Sequence, residues 1–229
     1  MAQMALPLQL ADHAVFASFL ASGNEPLVAT LKDLAAGNGA GCWVWGAHAT
    51  GKTHLLQAVC DAAGDRSVYV PLQMLSEAGP AVIDGLASRE LVCLDDIDAI
   101  AGDAAWEQAL FALCNQILDA DGQLLVSAAM APRESAVRLA DLESRMSRLP
   151  VFQLHTLDEQ QRAQALKLRA GHRGLELPDK TARYLLSRSR RDMASLYELL
   201  DRLDLAALQA QRKLTVPFVS DVLKQQAGD

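Results

Sequence analysis

Eight residues constrain this chain more than any others. Gly46-Ala47-His48-Ala49-Thr50-Gly51-Lys52-Thr53 fits G-x-x-x-x-G-K-[ST] at every fixed position. The apolar run Cys42-Trp43-Val44-Trp45 precedes it, and Lys52–Ala63, a stretch of helical composition, follows. That strand–loop–helix setting is the one the motif requires. Successive backbone N–H groups in such a loop form an anion-binding concavity, and the next helix adds the positive end of its dipole. Glycines let the backbone approach a phosphate with no Cβ in the way. In this pattern Lys52 reaches β- and γ-phosphates and the Thr53 hydroxyl ligates Mg²⁺. Residues 46–54, including His48 and His54, are therefore the candidate nucleotide-binding stretch. The two histidines themselves read as loop-filling and helix-face residues rather than ligands.

The sequence around the loop sets the fold class. Four more short apolar runs follow, at Ser67–Val70, Leu91–Leu94, Gln123–Ser127 and Val151–Leu154, bounded by Gly, Pro or Asp. Such runs fit buried parallel strands. The segments between them, Lys52–Ala63 and Ala104–Leu118, read as helices. Alternating β and α units predict an α/β fold, a five-stranded parallel sheet flanked by helices. Beyond Thr156 the strands stop. Asp158–Ala170, Pro178–Ser189, Asp192–Gln211 and Pro217–Gln225 read as four helices of a small all-α domain. Asp158 is placed to cap the first, and Pro178 and Pro217 lie near helix starts, where a missing N–H costs little. The expected organisation is an N-terminal segment 1–12, an α/β base 13–156 and a helical lid 157–229.

Leu91-Val92-Cys93-Leu94-Asp95-Asp96 delivers two carboxylates at a strand's C-terminal end, where ligands bind in α/β sheets. One can hold Mg²⁺ through water, with Asp95 the candidate, and the next, Asp96, can orient or activate a water. A solvated acidic turn is the competing reading, since Asp98 follows. Coupling to the phosphate loop favours the metal-site reading.

Composition excludes other classes. At 51% hydrophobic and 21% charged the chain is not a disordered one. A net charge of −7 argues against autonomous duplex-DNA binding. No apolar run approaches the roughly 18 residues a membrane span needs, and the N-terminus lacks the charged start and long apolar stretch of a signal peptide. Cys42, Cys60, Cys93 and Cys114 have no metal-like spacing and read as small buried hydrophobes of a reducing compartment. A cytoplasmic protein is expected.

The order of phosphate loop, L-V-C-L-D-D, further strand, Leu142-Glu143-Ser144-Arg145, and a helical lid containing Arg191-Asp192-Met193 resembles the AAA+ ATPases, within them the DnaA replication-initiator group. The likeness spans nearly the whole chain and is strongest to the short regulatory inactivators of DnaA. Gln164–Ala170, Gly174–Pro178 and Gln211–Val219 look like that subfamily's lid. The lid-like stretch runs almost to Asp229, where an initiator would continue into a helix-turn-helix domain.

The resemblance implies roles the residues alone do not give. Arg145 matches the arginine finger, which acts in trans on a neighbouring subunit's nucleotide; by sequence alone Arg148 is an equal candidate. Arg191 matches the lid arginine that senses the phosphates. Gln3-Met4-Ala5-Leu6-Pro7-Leu8 looks like a clamp-docking motif, with Leu6 and Leu8 as apolar anchors and Gln3 at the pocket rim. Ala129 stands where relatives carry a polar sensor residue, so weak intrinsic hydrolysis is expected. Phe16, Phe19 and Asn24 lie where relatives wrap the adenine, and the two phenylalanines read equally well as core anchors. The implied function is an adenine-nucleotide-binding regulator of replication initiation, holding ADP or ATP with Mg²⁺. It would dock on the DNA sliding clamp, meet DNA only through the loaded clamp, and promote hydrolysis of ATP bound to the DnaA initiator. AAA+-type contacts would also allow homo-oligomers. The alternative is an autonomous AAA+ ATPase acting as a loader or remodeller.

Overall fold

A computed structural model of the protein describes residues 14–188 and 193–226. These divide into two compact units, residues up to Phe16 with Asn24–His155, and Ala17–Gly23 with residues from Thr156 onward.

The first unit is a parallel five-stranded sheet with helices around it, as the alternating pattern predicts. The strands are β1 (Gly41–Trp45), β2 (Ser67–Pro71), β3 (Leu91–Asp95), β4 (Gln123–Ala128) and β5 (Val151–Gln153), in the order β2-β3-β4-β1-β5. Every residue of β3 and β4 is buried. Strands covered on both faces read as unbroken apolar runs, which is why these two stood out in the sequence. The helices are α1 (Glu25–Ala35), α2 (Lys52–Ala63), the single turn α3 (Leu72–Leu75), α4 (Ala104–Asp119) and α5 (Ala140–Met146). Pro26 lies in the first turn of α1, where its missing N–H is harmless. Leu27, Val28, Leu31, Leu34 and Ala35 then form a buried stripe of helical period. Asp103 caps α4, its carboxylate accepting from the Ala105 and Trp106 N–H groups. The core gathers around Trp43, wholly buried, whose indole N–H donates to the Met130 carbonyl at 2.9 Å. All four cysteines are free and buried, as expected of small hydrophobes.

Among the described residues the second unit holds four further helices, α6 (Glu159–His172), α7 (Asp179–Arg188), α8 (Met193–Ala210) and α9 (Val216–Gln226). Asp158 does cap α6, and Gln161 completes a reciprocal capping box. Leu166, Leu185, Leu200, Leu203 and Val219 are fully buried or nearly so in its own core. Arg169 is buried there too, its guanidinium 4.1 Å from the centre of the Tyr197 ring, a stacking that offsets part of the cost of burying the charge. Among the described residues no helix is long and apolar enough to cross a membrane.

Candidate functional site

The phosphate-loop residues sit at the C-terminal end of β1. Gly46 is tied to β4 by its N–H to the Ala128 carbonyl at 3.2 Å. A Cβ there would stand 2.6 Å from the Leu154 carbonyl oxygen, so only glycine fits. Gly51, the residue before α2, has φ +104, which a side chain would resist. Ala49 also takes a positive φ, 58°. The loop therefore curls back on itself before the helix starts. Lys52 is 8% exposed, and its ammonium lies inside the curl, donating to the Gly46 carbonyl at 2.9 Å and the Ala47 carbonyl at 3.2 Å. The Thr50 hydroxyl donates to the Ala47 carbonyl, while Ala47, His48 and Thr53 face outward. His54 turns to the Val15 carbonyl, its Nε2 at 3.0 Å. That is the helix-face position read for it, and the contact belongs to the segment preceding α1.

The sheet order explains the place of the acidic pair. β4 separates β3 from β1, so Asp95 stands two strand spacings, about 10 Å, from the loop's parent strand. A carboxylate at that remove suits a metal held through water better than direct contact with phosphate. Asp95 is 2% exposed, and both of its oxygens are engaged. Ser127 donates to Oδ1 at 2.5 Å and the Tyr69 hydroxyl to Oδ2 at 2.7 Å. Ser127 also accepts the Asp96 N–H at 2.9 Å, holding Asp96 in a left-handed turn of φ 56. Asp tolerates that conformation better than most residues. Burial and then the neighbouring Asp95 charge raise the Asp96 pKa, while Lys52 opposes them. The raised value makes Asp96 a stronger base toward water than an ordinary carboxylate. Burial, followed by the Asp95 charge, likewise pushes the Tyr69 phenol up, keeping it a donor. Asp98, the third acid, is turned away to accept the Ala129 N–H at 2.6 Å. Ala129 itself is exposed just past β4 and offers only its backbone there.

Tyr69 and Ser127 escaped the sequence reading. Leu94 pairs with Val126, and Tyr69 with Cys93, so Ser127 and Tyr69 reach Asp95 through strand register. The one local signal is a serine closing an otherwise apolar run. Tyr69→Phe is expected to lower the unfolding free energy by about 1–3 kcal/mol, because it strips a donor from a buried carboxylate. A urea midpoint equal to wild type would show that the phenol contributes nothing there.

Arg145 lies in the last turn of α5, half-buried, and Arg148 is exposed just beyond it. Leu142 and Met146 anchor α5 in the core. Burial pushes the Cys114 thiol of α4 up to about 12, with the Arg145 charge pulling the other way. Neither guanidinium has a hydrogen bond or ion pair with any described residue. Asn24 is 3% exposed, and its side-chain amide exchanges two hydrogen bonds with the His155 backbone. That gives it a structural task, linking the approach to α1 with the chain after β5. Phe16 is only half-buried, with Lys32 5.7 Å above its ring. Arg191 and the segment carrying Gln3, Leu6 and Leu8 lie outside the described residues.

Comparison with known proteins bears on this arrangement. The family described as the Hda lid domain matches residues 158–223, the helices α6–α9 almost end to end. Domain III of the Thermotoga maritima replication initiation protein DnaA superposes with a TM-score of 0.79 at 18% identity, covering 95% of this chain and 98% of that one. The fold is that of DnaA domain III, and residues 158–223 match the Hda lid family. AMPPCP-bound DnaA from Aquifex aeolicus gives a TM-score of 0.65 at 21% identity, covering 83% of this chain and 64% of that one. The Thermotoga maritima Holliday junction branch migration motor RuvB gives 0.60 at 16%, covering 89% and 68%. The AAA+ architecture expected from the order of motifs is thus the one found. It accounts for β4 lying between the phosphate-loop strand and the acidic strand.

Proposed function

We propose that this protein is an adenine-nucleotide-binding regulator of replication initiation, docking on the DNA sliding clamp and promoting hydrolysis of initiator-bound ATP. The observation that carries the reading is the Hda-type lid on a DnaA-type base. Gly46, Gly51, Lys52 and the loop amides would cradle the phosphates of ADP or ATP, and Arg191 would sense them from the lid. The AMPPCP-bound DnaA neighbour supports the adenine nucleotide. Thr53 and Asp95 are hard oxygen donors that would hold Mg²⁺, the second through water, and the ion would supply charge neutralisation to the bound phosphates. Arg145 would reach a partner's nucleotide, and its lack of any described protein partner suits that use. The division proposed is a clamp-binding segment 1–12, a base 13–156 and a lid 157–229.

The test is turnover of ATP pre-bound to DnaA initiator, with and without this protein and DNA-loaded clamp. Acceleration that needs both supports the reading. A second reading, an autonomous AAA+ ATPase acting as a loader or remodeller, is favoured by the intact Asp95–Asp96 pair and would show as turnover by the isolated protein. Ala129 weighs against it, since a methyl group cannot orient water or report a γ-phosphate.

Clamp docking has its own test. Changing Gln3, Leu6 and Leu8 together to alanine is expected to weaken clamp binding at least tenfold, about 1.4 kcal/mol. Nucleotide affinity should be unchanged, because the segment is separate from the loop in sequence. Surface-immobilised clamp and a fluorescent adenine nucleotide provide the two titrations; clamp binding that survives the triple change refutes the motif.

A further inference from the structure

Resting on the reading that Arg145 acts on a partner's nucleotide, we propose that Glu107 is the positioning residue that sets the finger. Glu107 belongs to the buried stripe of α4, among Trp106, Leu110, Leu113, Cys114 and Ile117, and is 2% exposed. No Lys, Arg or His among the described residues forms an ion pair with it. Its carboxylate is satisfied by backbone alone. Oε1 accepts the Gly102 N–H at 2.7 Å and the Arg138 N–H at 3.0 Å. Oε2 accepts the Leu139 N–H at 2.8 Å and shares that of Arg138 at 3.2 Å.

Those donors occupy a telling place. Leu139 is the residue immediately before α5 and has no side-chain cap of its own. Glu107 therefore fixes the two peptide groups from which the arginine-bearing helix departs. Seven residues further along the same face of α4, about 10 Å by helical rise, stands Cys114, whose thiol feels the Arg145 charge. The helix α5 is thus bound to α4 at its start by a carboxylate and along its length by Leu142 and Met146. Gly102 brings in the segment that follows the acidic strand, so one side chain holds both loops against α4.

A buried, unpaired carboxylate is costly to keep unless its hydrogen bonds are complete. Here each bond is charge-assisted, and no neutral side chain can replace the set. Glutamine would turn one oxygen into a donor facing backbone donors, and alanine would leave the Gly102, Arg138 and Leu139 N–H groups without their acceptor. Glu107 makes no hydrogen bond to residues 46–54, 95 or 96, so the chain's own nucleotide site is not what it serves.

The experiment is single-turnover hydrolysis of initiator-bound ATP with DNA-loaded clamp, over a range of concentrations of wild type, Glu107→Gln and Arg145→Ala. Glu107→Gln is expected to lower the saturated rate constant at least tenfold. The concentration giving half stimulation, and the variant's own affinity for a fluorescent adenine nucleotide, should stay within twofold. A general loss of structure would shift those two quantities instead, and that pattern overturns the proposal. A wild-type saturated rate for Glu107→Gln, with Arg145→Ala inactive, overturns it while leaving the finger in place. If wild type gives no stimulation, the finger reading and this inference fall together. Should Glu107→Gln not fold, Glu107→Asp carries the test: it keeps the charge but shortens its reach by one methylene. The same split is expected, and a wild-type rate refutes the proposal.

Discussion

Lys52→Ala should weaken binding of adenine nucleotide about a hundredfold, or 2.7 kcal/mol. The ammonium is the one cationic side chain within the loop curl formed by residues 46–52, buried and held by the Gly46 and Ala47 carbonyls. It is therefore already placed where phosphate oxygens meet the loop amides, and little side-chain entropy remains to be lost on binding. A charge-assisted hydrogen bond contributes about 1.5–3 kcal/mol, and the low exposure of the group lessens screening by salt. The substitution also removes the donor from two loop carbonyls, so a modest loss of stability should accompany the loss of affinity. Equilibrium titration with a fluorescent adenine nucleotide reads the first and urea unfolding the second. A folded variant with unchanged affinity would falsify the phosphate-loop assignment, since no other residue in the loop can supply the charge.

The loop was legible because its conformational demands write themselves into residue identity. Gly46 must admit the Leu154 carbonyl and Gly51 must hold a positive φ; lysine is the residue that can reach back into the curl. The strands were legible for a similar reason. β3 and β4 are buried on both faces, so their apolar runs are unbroken. Strand order was another matter. Five apolar runs carry no mark of which lies beside which, and the order β2-β3-β4-β1-β5 arises from packing across the whole sheet. The partners of Asp95 were invisible for that reason: Ser127 and Tyr69 come from strands distant in sequence. Glu107 shows the same blindness in a helix. A carboxylate in a stretch of helical composition reads as a solvated position until the loop that donates to it is in place. The helix α1 went unread although Leu27, Leu31, Leu34 and Ala35 give it a clear stripe. It precedes the first strand, outside the alternating pattern that organised the rest. Asp158, by contrast, announced itself, because a cap acts on the next three residues and needs no tertiary partner.

Arg145→Ala is expected to reduce stimulation of initiator ATP hydrolysis by about 10³-fold or more, in the range that arginine fingers supply. The geometry suits that role. Arg145 is carried by a helix fixed in the core through Leu142 and Met146. Its backbone is therefore rigid, while its guanidinium forms no bond with a described residue of its own chain. Such a group costs little to redirect toward a phosphoryl group on another subunit. The stabilisation arises mainly in the transition state, where charge spreads over the transferred phosphoryl oxygens, so it appears in the rate and not in binding. Arg145→Ala should accordingly leave this protein's own nucleotide affinity and its clamp docking within twofold, under 0.5 kcal/mol. Arg145→Lys should not rescue the rate, because a point charge lacks the planar fork that spans two phosphate oxygens. The measurement is single-turnover hydrolysis of ATP pre-bound to initiator, with clamp and DNA present, for wild type and the two variants. Full stimulation by Arg145→Ala would remove the finger from this residue and make exposed Arg148, three residues on, the next to test. An inert wild-type protein would instead bring forward the autonomous ATPase, whose signature is turnover without initiator.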